Sequence, residues 1–153
     1  MSRHESRATE PRSTSLERPN TNTSTSTSTT TEPAGWQAGP FDYQRLDAYA
    51  VALQTLVGGD RLARQLPRGY GKLADQLRRA LLSTHLGVAE AASRAGADRR
   101  ARFRCARGEA SEAAAALEAV LALQLAPAER VEPIIHLLGR LCAMLTRLAG
   151  ITR

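Results

Sequence analysis

Six arginines fall within fourteen residues of this sequence, Arg94, Arg99, Arg100, Arg102, Arg104 and Arg107, opposed there only by Asp98. Arg100, Arg104 and Arg107 stand at i, i+4 and i+7, so a helix carries them on one edge. Guanidinium groups at that spacing can each meet a phosphate through paired donors, which gives affinity for RNA or DNA without reading the bases. The competing reading is a solvated helix start whose cations pair with Glu109, Glu112 and neighbouring subunits. Base-stacking residues are scarce (one Trp, three Tyr, two Phe), so a single-strand stacking platform is not expected.

Other chemistries lack their parts. A di-metal bundle needs Glu-x-x-His on each of two helices and two further glutamates. Here Glu132 and His136 are four apart, and neither His4 nor His85 has a Glu three residues before it. Ser83, Thr84 and His85 are consecutive on a helix and point in different directions, which makes no nucleophile–base pair. Glycine-rich phosphate loops and nucleophile elbows are missing. Cys105 and Cys142 can build neither a disulfide framework nor a zinc site by themselves, and both fall on apolar stripes where buried free thiols are expected. No catalytic residue, metal or cofactor is assigned, and the chain is not expected to be an enzyme.

The arginines need helices to position them, and the apolar periodicity supplies four. Leu46, Tyr49, Ala50, Leu53, Leu56 and Val57 form the stripe of a first helix. Gly58-Gly59 should kink or break it, at roughly 1 kcal/mol per glycine, before it ends at Pro67. The second helix runs from about Lys72 to Ala95 on Leu73, Leu77, Ala80, Leu81, Thr84 and Val88, with Gly96 as its left-handed cap. Asp98 is placed to cap the third, whose face is Phe103, Ala106, Ala110, Ala113, Leu117 and Val120 and whose end is near Leu125. Ala126-Pro127 makes the last turn.

In the fourth helix Val131, Ile134, Ile135, Leu138, Leu141, Cys142, Leu145 and Leu148 share a face, and Leu137 and Met144 widen it to about half the circumference at roughly 100° per residue. An isolated bundle needs a narrower stripe, so Leu137 and Met144 are the candidate interface of a homo-oligomer. Four such helices with short turns imply an all-α, antiparallel up-down-up-down four-helix bundle.

Ahead of it lies a Ser/Thr-rich tail, residues 1–40, with too little apolar surface to offset its ordering entropy and therefore expected to be disordered. The bundle domain is residues 41–153. The tail carries four Arg against four Glu, so the net charge of +6 sits on the bundle, which favours polyanionic partners. No apolar run approaches the roughly 18 residues of a membrane span, and a cytoplasmic location is expected. Removing residues 1–38 should leave the helical circular dichroism and the melting cooperativity unchanged. A large loss of stability would move the domain boundary.

The segments FDYQRLDAYAVALQ, LADQLRRALLSTHLGVAEAASR and ARFRCARGEASEAAAALEAVLAL, in that order, resemble the bacterial four-helix-bundle proteins named for intervening sequences in 23S ribosomal RNA genes. That family includes the accessory variability proteins of diversity-generating retroelements. The resemblance covers about residues 41–148 and implies a four-helix protomer in a homo-oligomer, commonly a pentameric ring with basic surfaces. It further implies nucleic acid or a reverse transcriptase as partner. Gln76-Leu77-Arg78-Arg79-Ala80 matches the family's Q-[IL]-R-R-A, and Val88-Ala89-Glu90 its [IV]-A-E. Where the family often reads S-[IV]-P-x-N, this chain has Ser83-Thr84-His85-Leu86-Gly87.

Gln76, Arg78, Arg79 and Glu90 are read as structural, Arg78 or Arg79 pairing with Asp75 or Glu90 to fix helix register. The function expected is that of a non-catalytic basic bundle that self-associates and binds nucleic acid or a nucleic-acid-handling partner. The alternative is a protein-interaction or structural module without nucleic-acid binding.

Overall fold

A computed structural model describes residues 39–151. The expected disorder of the tail lies outside the described residues, apart from Gly39 and Pro40. One 3₁₀ turn, Asp42–Arg45, leads into α1 (Asp47–Ala63), followed by α2 (Gly71–Ala92), α3 (Gly96–Ala122) and α4 (Ala128–Leu148). Each helix packs on its neighbours in the chain, and α4 closes back on α1, while the backbones of diagonal pairs do not approach closely. The result is an antiparallel four-helix bundle. No described helix is long and apolar enough to cross a membrane.

The faces read from periodicity in α2, α3 and α4 form the core, whereas the α1 stripe is misplaced. Leu46, Tyr49, Ala50, Leu53 and Leu56 are only half-buried and Val57 is exposed. Instead α1 buries Ala48, Val51, Ala52, Thr55 and Leu62, smaller side chains on the side that meets its neighbours. Leu77, Ala80, Leu81 and Val88 of α2, all six stripe residues of α3, and Val131, Ile134, Leu138, Leu141 and Leu145 of α4 are buried. Alanines 106, 110, 113 and 116 leave α3 smooth where its neighbours approach. Buried Thr55 and Thr84 satisfy their hydroxyls on the carbonyls of Ala52 and Ala80, both at 2.8 Å.

Three further local expectations fail. Gly58-Gly59 does not break α1, because the pair sits where α1 meets its neighbours: a Cβ on Gly59 would stand 2.1 Å from Leu81 Cδ1. Asp98 does not cap α3; Ala95 holds that position, and the Asp98 carboxylate accepts from Arg94 instead. Cys105 is exposed and Cys142 half-buried, since the buried neighbour of Cys105 is Ala106. Gly96 does take the left-handed conformation (φ +56°), at the first residue of α3, and α3 ends at Ala122, shortly before Gln124 at φ +54°.

Rings gather at one end of the bundle. Phe41 stacks on Tyr43, Tyr43 leans on Tyr49, and Tyr49 covers His85 with centroids 4.6 Å apart. His85 is buried, its Nδ1 has no hydrogen-bond partner among the described residues, and burial lowers its pKa. The unfolded chain therefore binds a proton near pH 6.5 that the folded chain resists. Stability should be full above that pH and fall as pH drops from about 7 to 5. Paired Asp60 and Glu90, whose pKa values are lowered, lose their contributions only at more acidic pH. Urea midpoints at pH 7.5 and 5.0 test this: His85→Phe should remove most of the difference, and an equal difference in the variant would assign it elsewhere.

Candidate nucleic-acid interface

The arginine cluster starts where α2 hands over to α3. Arg94 bridges the two helices, donating from Nη1 to both Asp98 oxygens at 2.8 and 2.9 Å and from Nη2 to Glu90. Arg102, nearly two turns into α3, reaches back to Glu90 with Nε at 2.5 Å and lies 4.0 Å from Glu109. Gly87 makes that crossing possible, since a Cβ there would meet the Arg102 guanidinium at 3.0 Å and Ala106 at 3.1 Å. The Arg102 hydrogen bond above all, then the one from Arg94, holds the Glu90 carboxyl below the usual range, and bonding to Asp98 raises Arg94.

The opposite edge of α3 differs. Arg100 and Arg104 are exposed and Arg107 half-buried, and none has a carboxylate within 4 Å among the described residues. This edge faces α4: Ser111, one turn on, lies 3.9 Å from Cys142 Sγ, and the Arg100 stem runs past Gly150. The Arg107 Nε is buried without a hydrogen-bond partner. Arg99 folds over the Phe103 ring at 5.5 Å. The six arginines thus split into two that neutralise carboxylates, one laid on a ring, and three that stay free on one edge.

Sequence reasoning missed a second basic group. Arg45, Arg140 and Arg147 line a groove of about 480 Å³ beside Leu46, Met144 and Leu148. The signal was present in Arg140 and Arg147, two turns apart on α4, but Arg45 joins them only through the fold.

Gln76, Arg78, Arg79 and Glu90 are brought together differently from expectation. Arg78 donates to Asp60 of α1 at 2.9 Å rather than to Asp75 or Glu90, and Asp60 also accepts from Arg64 at 2.7 Å. Gln76 bonds Glu112 of α3. Arg79 is exposed, with no carboxylate within 4 Å among the described residues. Glu90 pairs with Arg94 and Arg102, so the ion pairs run between α1 and α2 and across the α2–α3 junction.

Leu137 and Met144 are half-buried and pack on the core. The large exposed apolar side chains among the described residues are Phe41, Val57, Tyr70, Leu82, Leu86 and Leu123, none of them on α4. Val57 lies on α1 and Leu82 and Leu86 on α2, while Phe41, Tyr70 and Leu123 stand just outside helix ends.

The fold and these surfaces define an all-α bundle with a free cationic edge on α3 and an apolar outer face on α2. Compared with protein-family models and with curated proteins, the chain matches none.

Proposed function

We propose that this chain is a non-catalytic, basic, self-associating bundle that holds nucleic acid through the phosphate backbone, and that it is a divergent relative of the 23S ribosomal RNA intervening-sequence proteins. The observation that carries the reading is the free edge Arg100–Arg104–Arg107. Three guanidinium groups without carboxylate partners, one turn apart, suit successive phosphates, while the nearby Arg94 and Arg102 are already neutralised. Phosphate contacts carry no base information, so binding through them should be independent of sequence. The same basic edge suits a complex in which the nucleic acid is shared with a handling enzyme such as a reverse transcriptase. Duplex and single-strand binding measured across a salt series tests the proposal: steep salt dependence without base preference supports it, and absence of binding at about 50 mM salt overturns it.

A further inference from the structure

We infer that the groove lined by Arg45, Arg140 and Arg147 is the docking site of this chain's own segment 32–38, which lays Trp36 on the groove's apolar floor and Glu32 among its arginines. The inference goes beyond the reading above and does not depend on it.

The groove offers two kinds of surface. Leu46, Met144 and Leu148, each half-buried, make an apolar floor, and Arg45, Arg140 and Arg147, all exposed, stand over it. Asp47 also lines the groove, yet none of the three arginines has a carboxylate within 4 Å among the described residues. A phosphate would use the cations and leave the floor wet. An aromatic ring uses both, because it covers apolar side chains and offers its face to a guanidinium, and Trp does this best. The volume, about 480 Å³, lies in the range of sites that bury a small organic group.

The chain that fills it enters beside it. The described residues begin at Gly39, which lies against the Gln44 side chain: a Cβ there would stand 2.5 Å from Gln44 Oε1. That oxygen also accepts from the Phe41 N–H at 3.0 Å, and the next residue after Gln44 is Arg45. Trp36, the one tryptophan of the chain, stands three residues before Gly39, a reach of up to about 10 Å. Glu32 is four residues further back, which adds up to roughly 14 Å. Arg140 and Arg147 are two turns apart on α4, about 10 Å, so that reach spans both.

Charge agrees with this occupant. Residues 19–38 hold Glu32 and no Lys or Arg, so the part of the tail next to the bundle is acidic although the tail as a whole is neutral. A separate acidic and aromatic peptide has the same chemistry, but the chain's own segment is tethered at the groove and meets it at a far higher effective concentration. Docking then confines the expected disorder to residues 1–31. An extended contact of seven residues adds no helix, so the circular dichroism expected on removing residues 1–38 is unchanged.

Trp36 is the probe of its own position. Excited beyond tyrosine absorption, the full chain should emit to the blue of the same chain in urea, and acrylamide should quench it severalfold less. Arg140→Glu with Arg147→Glu, at exposed positions, should move the emission to the red and restore quenching while helical circular dichroism stays the same. Adding Glu32→Arg to that pair should recover part of the protection, because the charges are then exchanged rather than lost. The reading needs no nucleic acid, so failure here and failure of phosphate binding are separate results. Emission and quenching in the folded parent equal to those in urea overturn the docking. Protection that survives Arg140→Glu with Arg147→Glu puts Trp36 on another surface and overturns it too. Protection that fades on dilution assigns the groove to the segment of a second copy and overturns docking within one chain.

Discussion

Replacing Arg100, Arg104 and Arg107 together by Gln is expected to flatten the log–log salt dependence of duplex binding by about 3, at roughly 0.9 per phosphate contact. Between 50 and 200 mM salt the parent should therefore lose about 40-fold more affinity than the variant. Gln keeps helix propensity close to that of Arg, so the change tests charge rather than folding. Read from sequence alone, Arg99, Arg100, Arg102, Arg104 and Arg107 would all meet phosphates and give a slope near −4.5, at about −0.9 each. The ion pairs change that expectation. An arginine held by a carboxylate must break that pair before it can displace a counterion from the duplex, so its net release is small. Arg94, bonded to Asp98 and Glu90, should accordingly leave the slope unchanged when replaced by Gln. Equal flattening by Arg94→Gln and by the triple variant would mean that the partition of the cluster is wrong. A triple variant that binds as tightly and as salt-sensitively as the parent would reduce the edge to a solvated surface. Light scattering on each variant separates these outcomes from a change of assembly.

Local periodicity made the core faces of α2, α3 and α4 legible in the sequence, but not that of α1, where the larger Leu46, Leu53 and Leu56 stay half-buried and the small residues Ala48, Ala52 and Thr55 take the core positions. Phe103, Ala106, Ala110, Ala113, Leu117 and Val120 are six expectations and six buried residues, because a 3.6-residue repeat is a property of one helix. The arginine cluster was equally plain as a run of residues. What the sequence could not express was its division, which depends on Glu90 and Asp98 reaching across the α2–α3 junction and on the missing side chain of Gly87. Asp98 illustrates the limit. A carboxylate in the first turn of a helix suits a cap, but a guanidinium 2.8 Å away competes for it, and the charged donor wins. Arg78 finds Asp60 for the same reason, a partner eighteen residues away that only the packing of α1 on α2 brings near.

Gly59→Val is expected to lower stability by about 2 to 3 kcal/mol, the range of an overpacked core, and Gly58→Ala to raise it by up to about 1 kcal/mol. The two glycines are adjacent, yet they meet different neighbours. A Cβ on Gly59 would stand 2.1 Å from Leu81 Cδ1, and Leu81 is fully buried, so either the leucine must leave its place in a packed core or α1 must move off α2. A Cβ on Gly58 would stand 3.4 Å from Ile134 Cγ1, an ordinary van der Waals contact with α4, and would gain helix propensity without displacing anything. A glycine pair that lowers helix propensity is thus retained within α1 because one of its members admits a buried leucine. The consequence extends to the surface, since the Asp60 carboxylate that fixes Arg78 is the next residue after Gly59. Moving α1 away from α2 should loosen that pair and, with it, the Val57 side of the groove beside Leu82. Thermal melts of the two variants decide the matter: a loss of 1 kcal/mol moves the midpoint of a domain this size by roughly 4 to 8 °C, well above the error of the measurement. If Gly58→Ala destabilises as much as Gly59→Val, the pair is a hinge in α1 after all. If Gly59→Val melts with the parent, the close approach of α1 to Leu81 is absent in solution.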